Sequence, residues 1–114
     1  MATPTQPKSE TRADYAVVGL GVSGLSCLRH LLARGASVLA LDTREAPPGL
    51  DAVRREWPTL DVVLGPLDAS LLARCRHVVL SPGLSRATPE IGTAAAAGVE
   101  IIGDIELFAR AVNA

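Results

Sequence analysis

The chain has 114 residues, of which 48% are hydrophobic, and a formal net charge of −1. This length suffices for one domain with its own core and is too short for two domains with a cleft between them. The near-neutral charge argues against a nucleic-acid partner or an acidic membrane surface, and no apolar run approaches the roughly 18 residues of a membrane span.

The two cysteines and the single lysine limit the kinds of reactive or metal-binding site that we predict. Cys27 and Cys75 fit neither a Cys-x-x-Cys nor a zinc pattern, so we predict buried reduced thiols, no metal site and a cytoplasmic protein. The only lysine, Lys8, lies in residues 1–13, a polar segment without apolar periodicity that we predict to be a disordered tail. The rest of the chain, residues 14–114, offers no lysine for a P-loop or a Schiff base.

A glycine-rich turn follows the first predicted strand. An apolar run at residues 15–20 is typical of a strand covered on both faces, and residues 22–34 carry leucines at helical spacing. Between them stands Gly19-x-Gly21-x-x-Gly24. In this pattern the first glycine makes the tight turn, the second lets the backbone approach a pyrophosphate, and the third lets the helix pack closely on the sheet.

The start of this helix is a predicted anion site. Its first N–H groups, including those of Val22, Ser23 and Gly24, have no acceptor inside the helix, and the positive end of the helix dipole lies there. The second predicted strand, residues 37–41, leads into Asp42, close to the roughly 20-residue offset from the last glycine at which such folds place a carboxylate on a ribose or base. We therefore predict a nucleotide-diphosphate site, with a purely structural turn as the alternative.

The remaining chain alternates short helices with strands. Strands are predicted over residues 61–64, 77–80 and 99–102, and short helices run from the caps Asp51, Asp68, Thr88 and Asp104 to about residues 57, 74, 97 and 112. Five apolar strands alternating with helices predict an α/β fold, with a five-stranded parallel sheet covered by helices on both faces in three layers. We interpret His30, Trp57 and His77 as structural residues.

Two further segments lie at the predicted ligand edge of the sheet. Asp42-Thr43-Arg44 ends the second strand, and Ser81-Pro82-Gly83-Leu84-Ser85 follows the fourth. Ser81 and Gly83 would meet the second side of a nucleotide, although Ser-Pro-Gly is also ordinary turn chemistry. Arg44 is either a residue that packs on a base or a solvated surface residue.

Several motifs in order resemble one family. They are the glycine turn extended to Ser26-Cys27, Asp42-Thr43-Arg44 with Pro47-Pro48-Gly49-Leu50, Ser81-Pro82-Gly83, and the run from Gly98 to Phe108. Over residues 15–111 the chain is similar to the amino-terminal domain of the MurD ligases, which join D-glutamate to UDP-N-acetylmuramoyl-L-alanine in bacterial peptidoglycan synthesis. The resemblance implies a Rossmann-like domain that binds a UDP-sugar instead of a dinucleotide.

The resemblance also implies roles for individual residues. The Val22 and Ser23 amides, with the Ser23 hydroxyl, would hold the diphosphate beside Gly21 and Gly24, and the family often has threonine at the Ser23 position. Asp42 and Thr43 would read the uracil edge, Arg44 would border the base, and Gly83 would approach the substrate through its backbone.

The catalytic parts of that family are not found in these 114 residues. The resemblance implies that a P-loop, magnesium ligands, a modified lysine and a D-glutamate-binding domain belong to a longer parent enzyme, which uses ATP and Mg²⁺ to activate the substrate carboxylate as an acyl phosphate. We expect the chain to be an excised, monomeric domain that binds the UDP substrate without turning it over and needs no cofactor of its own. The alternatives are a free-standing NAD-binding regulatory module, with Asp42 on the adenosine ribose, and a structural α/β domain without a ligand.

Overall fold

A computed structural model of the chain describes residues 13–82, 84 and 87–113. The strands are β1 (Tyr15–Val18), β2 (Val38–Asp42), β3 (Asp61–Leu64), β4 (His77–Leu80) and β5 (Glu100–Gly103). The helices are α1 (Val22–Ala33), α2 (Leu50–Glu56), α3 (Ala69–Leu72), α4 (Pro89–Ala96) and α5 (Asp104–Asn113). The predicted disordered tail lies outside the described residues except for Ala13, which packs against the core.

The five strands form one parallel sheet in the order β3-β2-β1-β4-β5. Val18, the last residue of β1, is in register with Leu41 on one side and Leu80 on the other. The chain leaves β1 in one direction across the sheet and returns to its other side with β4, so the strand order reverses between β1 and β4. Open α/β sheets bind ligands outside the carboxyl ends of the strands at such a reversal.

Both faces of the sheet are covered, as predicted. Successive residues of a strand point to opposite faces, so Val17 and Val18 contribute to different cores. One core joins the sheet to α3 and α4 through Leu72, Ile91 and Ala94. The other joins it to α1, α2 and α5 through Leu28, Leu31, Val53 and Leu107. The predicted three-layer α/β/α arrangement is confirmed.

Some predicted boundaries are wrong by a few residues at the ends of strands. The first strand ends at Val18 and not at residue 20, because the backbone turns at Gly19, whose φ is +105° and whose N–H donates to the Leu41 carbonyl. The second strand extends through Asp42, and the fifth is displaced by one residue to Glu100–Gly103. The predicted bounds of β3 and β4 are confirmed.

The helix caps are confirmed at two of the four predicted positions. Asp68 caps α3 by accepting the Ser70 N–H, although this helix ends at Leu72, and Thr88 precedes α4 without a side-chain capping bond. The prediction for Asp51 is wrong because Gly49 occupies the N-cap position of α2, which places Asp51 in the first turn. Asp104 is the first helical residue of α5, since β5 continues into this helix without a loop.

The residues interpreted as structural have structural contacts. The Nδ1 atom of His77 is 2.7 Å from a Glu100 carboxylate oxygen, and its ring stacks on Tyr15 with centroids 4.7 Å apart. His30 meets the edge of Phe108, and Trp57 packs against the core beside α2. Cys27 and Cys75 are both buried free thiols, as predicted.

Candidate functional site

A cleft of about 400 Å³ opens at the carboxyl edge of the sheet, where the strand order reverses. Its lining residues are Gly19, Gly21, Val22, Ser23, Asp42, Thr43, Arg44, Ser81, Pro82 and Leu84. The structure thus brings seven predicted site residues to one cleft, namely Gly21, Val22, Ser23, Asp42, Thr43, Arg44 and Ser81. Gly24 is buried behind the turn, and the predicted contact of Gly83 lies outside the described residues.

The amino end of α1 is open to this cleft. Gly21 occupies the N-cap position, so no side chain caps the helix, and the first turn carries no acidic residue. Val22 is 84% exposed, which leaves this end of the helix uncovered by the described part of the chain. The first amides of an α-helix lack intrahelical acceptors and lie at the positive end of its dipole. This end of α1 therefore has the donors and the polarity that favour an anion.

Close contact between the turn and the helix depends on Gly24. A Cβ atom at this position would lie 1.8 Å from the Gly19 carbonyl oxygen, far inside any real contact. The glycine thus lets α1 start directly against the end of β1, as the third glycine of the motif was predicted to do. The result is a short connection that directs the first amides of α1 toward the cleft-lining turn.

Asp42 is the one buried charged residue in the described part of the chain, and its carboxylate is fully engaged within the protein. One oxygen, Oδ2, accepts the Leu20 N–H at 2.7 Å and the Arg44 Nη2 at 2.7 Å. The other, Oδ1, accepts the backbone N–H of Arg44 at 2.8 Å and its Nε at 2.9 Å. A carboxylate has about four acceptor positions, so this set uses its whole capacity.

These contacts keep Asp42 ionised. The side-chain hydrogen bonds from Arg44 are the main cause that lowers the pKa of Asp42 to about 2, and the Leu20 and Arg44 backbone N–H groups add to it against the opposing effect of burial. The negative charge at the end of β2 is therefore compensated by a guanidinium that stays 54% exposed at the mouth of the cleft. Arg44 is anchored to Asp42, so it is neither buried nor a freely solvated side chain.

Ser81 links the end of β4 to the glycine turn. Its backbone N–H and its hydroxyl both donate to the Val18 carbonyl oxygen, at 3.1 Å and 2.9 Å. A Cβ atom at Gly19 would lie 1.7 Å from the Ser81 hydroxyl oxygen, so this side chain packs directly on the turn. The hydroxyl hydrogen is used within the protein, while the oxygen keeps the capacity to accept a hydrogen bond.

Sequence reasoning predicted seven of the residues that line this cleft but missed the contacts among them. Nothing in the sequence indicates that Asp42 reaches back to Leu20 or that Arg44 folds onto Asp42. The spacing of two residues between Asp42 and Arg44 is compatible with the local turn in which an Asp side chain accepts a backbone N–H two residues ahead. That Asx-turn pattern is the signal that could have found the pair.

Candidate metal ligands are not clustered in the described ranges, and both cysteine thiols are buried. Residues 13–82, 84 and 87–113 contain no group of three His, Cys, Asp or Glu side chains placed to hold a metal ion. Burial, with a smaller contribution from Asp104, raises the pKa of the Cys27 thiol to about 11, so this residue stays protonated at neutral pH. No helix in the described part of the chain is long and apolar enough to cross a membrane.

Comparison with known proteins decides the family. The family described as "Mur ligase MurD-like, N-terminal domain" matches residues 13–103. The chain belongs to this family. The match includes β1 to β5 and every described residue that lines the cleft of this MurD-like domain.

Curated relatives of this MurD-like domain are named UDP-N-acetylmuramoylalanine--D-glutamate ligase. The Pseudomonas putida and Pseudomonas aeruginosa ligases are each 50% identical over 98 residues, which covers 86% of the chain and 22% of each ligase. The Marinobacter nauticus ligase is 48% identical over the same coverage. The chain therefore spans about a fifth of the length of these relatives.

Solved structures share the fold at lower sequence identity. A pseudomurein peptide ligase type C from Methanothermus fervidus aligns with a TM-score of 0.66 and 22% identity, covering 82% of the chain and 20% of that protein. The TrkA-N domain of the inner membrane protein ybaL from Escherichia coli aligns with a TM-score of 0.50 and 16% identity, covering 90% and 96%. These likenesses confirm a Rossmann-like α/β fold and carry no further argument.

Proposed function

We propose that this MurD-like domain binds the UDP portion of UDP-N-acetylmuramoyl-L-alanine within a bacterial ligase that adds D-glutamate during peptidoglycan synthesis. One observation supports this most directly: the uncapped amino end of α1 opens into the same cleft as Asp42, Thr43 and Arg44. The names of the relatives indicate the substrate, and the cleft offers one region for its diphosphate and another for its uracil.

The diphosphate is assigned to the amino end of α1. The Val22 and Ser23 amides and the Ser23 hydroxyl are the donors proposed to hold it, with Gly21 leaving room for close approach. A Cβ atom at Gly21 would meet nothing within 4 Å, so the space in front of this residue is open to a ligand. The lack of an acidic residue in the first turn removes a source of repulsion.

The uracil is assigned to the end of β2. Its edge presents one N–H donor between two carbonyl acceptors, which a carboxylate and a guanidinium can match together. Because Asp42 already has four donors, the base N–H reaches this carboxylate only by replacing one donor of Arg44. We propose that the released guanidinium N–H then serves a uracil carbonyl, with Thr43 beside it.

The second side of the ligand is assigned to the segment after β4. Ser81 is held against the glycine turn, where its oxygen is available as an acceptor. Gly83 is proposed, from the resemblance alone, to approach the substrate through its backbone. Both assignments place the sugar part of the ligand across the reversal between β1 and β4.

The bond-forming chemistry is assigned to other parts of the ligase. In the proposed reaction, ATP with Mg²⁺ activates the substrate carboxylate as an acyl phosphate that the D-glutamate amine attacks. The described residues contain no cluster of three His, Cys, Asp or Glu side chains, and the sequence has no lysine after Lys8 for a P-loop, so we assign ATP and Mg²⁺ to the rest of the ligase. We expect these 114 residues alone to bind substrate without turnover, as a cytoplasmic monomer.

The NAD-binding alternative is the weaker proposal. An adenosine ribose would use Asp42 as acceptor for its hydroxyls, and both carboxylate oxygens already bind Arg44. A pair of ribose hydroxyls would have to displace the whole guanidinium, whereas uracil displaces one donor and offers acceptors in return. The family match favours the uridine nucleotide as well.

An NMR titration of the ¹⁵N-labelled domain with UDP tests the assignment. We expect the largest amide shifts at Val22 and Ser23 and a second group at Thr43 and Arg44, because these surround the proposed ligand. The amides near His77, at the opposite edge of the sheet, are the internal control. Shifts confined to that edge, or no shift with millimolar UDP, would refute the proposal.

A further inference from the structure

Both peptide groups that flank Leu20 are held by segments outside the glycine turn. Leu20 is fully buried between Gly19 and Gly21. Its N–H donates to Asp42 Oδ2 at 2.7 Å, and its carbonyl oxygen accepts the Gly49 N–H at 2.8 Å. The peptide unit before Leu20 is therefore held by β2, and the peptide unit after Leu20 is held by the segment before α2.

The planarity of the peptide unit couples the hydrogen bond between the Gly49 N–H and the Leu20 carbonyl to the cleft. The Leu20 carbonyl and the Gly21 N–H belong to one peptide unit, and no described peptide bond is cis. In a trans unit the N–H points opposite to the carbonyl, so the Gly21 N–H is directed away from Gly49. A rotation of the Leu20 carbonyl therefore turns the Gly21 N–H with it, and Gly21 is the residue directly before Val22, where α1 begins.

Gly49 leaves no room for a side chain beside that carbonyl. A Cβ atom here would lie 2.6 Å from the Leu20 carbonyl oxygen, 3.2 Å from its carbon and 3.3 Å from the Leu25 Cδ1 atom. The Gly49 backbone has φ −89° and ψ 0°, which other residues also adopt, so the requirement is one of space. Gly49 does not line the cleft.

We propose that Gly49 is a positioning residue for the nucleotide site. By holding the Leu20 carbonyl at hydrogen-bond distance, it sets the direction of the Gly21 N–H and the start of α1 without touching the ligand. This inference rests on the proposed function, because the Gly21 peptide unit that it orients leads directly into the Val22 and Ser23 amides assigned to the diphosphate. Asp42 does the same for the preceding peptide unit, so the two residues together fix the turn before any ligand binds.

The test compares Gly49→Ala with Gly92→Ala. Gly92 is a helical glycine of α4 at which a Cβ atom would meet nothing within 4 Å, so the second variant controls for the added methyl group. We expect UDP affinity to fall roughly 10- to 100-fold in Gly49→Ala, the range for the loss of a hydrogen bond to a charged group, and to stay unchanged in Gly92→Ala. Equal UDP affinity of the folded variants would overturn the proposal.

Amide hydrogen exchange in the ligand-free domain supplies a readout that general destabilisation does not reproduce. Gly49→Ala is expected to speed exchange at the amide of residue 49, whose N–H donates to the Leu20 carbonyl, while the α4 amides keep their rates. Faster exchange throughout the domain, or no change at residue 49, would contradict a positioning role. This measurement needs no ligand. If the unchanged domain fails to bind UDP, the proposed function is refuted, and hydrogen exchange still decides whether Gly49 positions the turn.

The unchanged domain provides a third arm if Gly49→Ala does not fold. Exchange of both the Leu20 and the Gly49 amides is expected to be slowed by UDP, although neither residue lines the cleft. Slowing at Leu20 with an unaffected Gly49 would overturn the coupling between them.

Discussion

The Asp42 carboxylate accepts the Leu20 N–H at 2.7 Å, so the acid at the end of β2 holds the turn that follows β1. The same carboxylate binds the Arg44 side chain at the mouth of the cleft. One buried charge thus connects the proposed diphosphate end of the site to its proposed uracil end. Changes at Asp42 are expected to affect both stability and ligand choice.

Asp42→Asn is expected to lower the free energy of unfolding by about 1–3 kcal/mol at neutral pH, because the amide has one acceptor oxygen where the carboxylate has two. Arg44 loses an acceptor whichever oxygen is replaced, and Leu20 loses its acceptor if that oxygen is Oδ2. Urea unfolding followed by circular dichroism measures the change. Asp51→Asn, at an exposed position in the first turn of α2, is the control and should change stability far less. Equal stability of the two variants would refute the role assigned to Asp42.

The contribution of Asp42 should disappear in acid. The folded-state pKa of Asp42 is lowered from 3.8 to about 2, so its ionised form stabilises the fold above pH 3.8 and this stabilisation is lost as the pH falls toward 2. The shift corresponds to about 2 kcal/mol. We expect the difference in unfolding free energy between the unchanged domain and Asp42→Asn to shrink from pH 5 to pH 2. Other carboxylates, such as Glu100, are present in both proteins, so their contributions cancel in this difference. A difference that stays constant over this range would contradict the assignment.

Asp42→Ala is expected to reduce discrimination between UDP and ADP more than it reduces phosphate binding. The base edge loses its proposed acceptor outright, whereas the turn before the α1 amides loses one of its two contacts and keeps the one from Gly49. Competition titrations with the two nucleotides give the ratio of their affinities, and inorganic pyrophosphate reports phosphate binding alone. An unchanged ratio would show that the base is not read at the end of β2.

Ser23→Ala should weaken UDP binding by roughly 1 kcal/mol, about fivefold in affinity, because one proposed hydrogen bond to the diphosphate is lost. Ser23→Thr keeps the hydroxyl and should bind UDP normally. Ser26→Ala, a partly buried position of the same helix outside the cleft, controls for general effects on α1. Equal UDP affinities of Ser23→Ala and Ser23→Thr would show that the Ser23 hydroxyl does not bind the ligand.

Gly24→Ala is expected to cost about 3 kcal/mol or more of unfolding free energy, at the upper end of overpacking penalties, because its Cβ atom would collide with the Gly19 carbonyl. Gly92→Ala, where the added atom meets open space, should be neutral or slightly stabilising. Thermal unfolding of the two variants compares them directly. Similar midpoints would mean that the turn and α1 are not in tight contact.

The fold could be predicted from the sequence because its strands are short apolar runs separated by strong turn and cap signals. The bounds of β3 and β4 follow directly from these patterns, and glycine spacing located the start of α1. Boundaries were missed where tertiary contacts decide them. Gly49 takes the N-cap position of α2 in place of Asp51, and its N–H binds the Leu20 carbonyl, a contact between segments far apart in the chain.

The grouping of these residues in one cleft could be predicted from the sequence, but the hydrogen bonds among them could not. The rule that ligands bind beyond the carboxyl ends of parallel strands correctly placed Ser23, Asp42 and Ser81 in one cleft. Sequence spacing contains no information on where a side chain folds. The hydrogen bonds from Ser81 to Val18 and from Arg44 to Asp42 could be found only in the structure.

Calorimetric titration of the purified domain with UDP-N-acetylmuramoyl-L-alanine, UDP and NAD tests the central claim most directly. We predict binding of both uridine compounds and none of NAD, with UDP-N-acetylmuramoyl-L-alanine at least as tight as UDP. Binding of NAD without a response to either uridine compound would contradict the account.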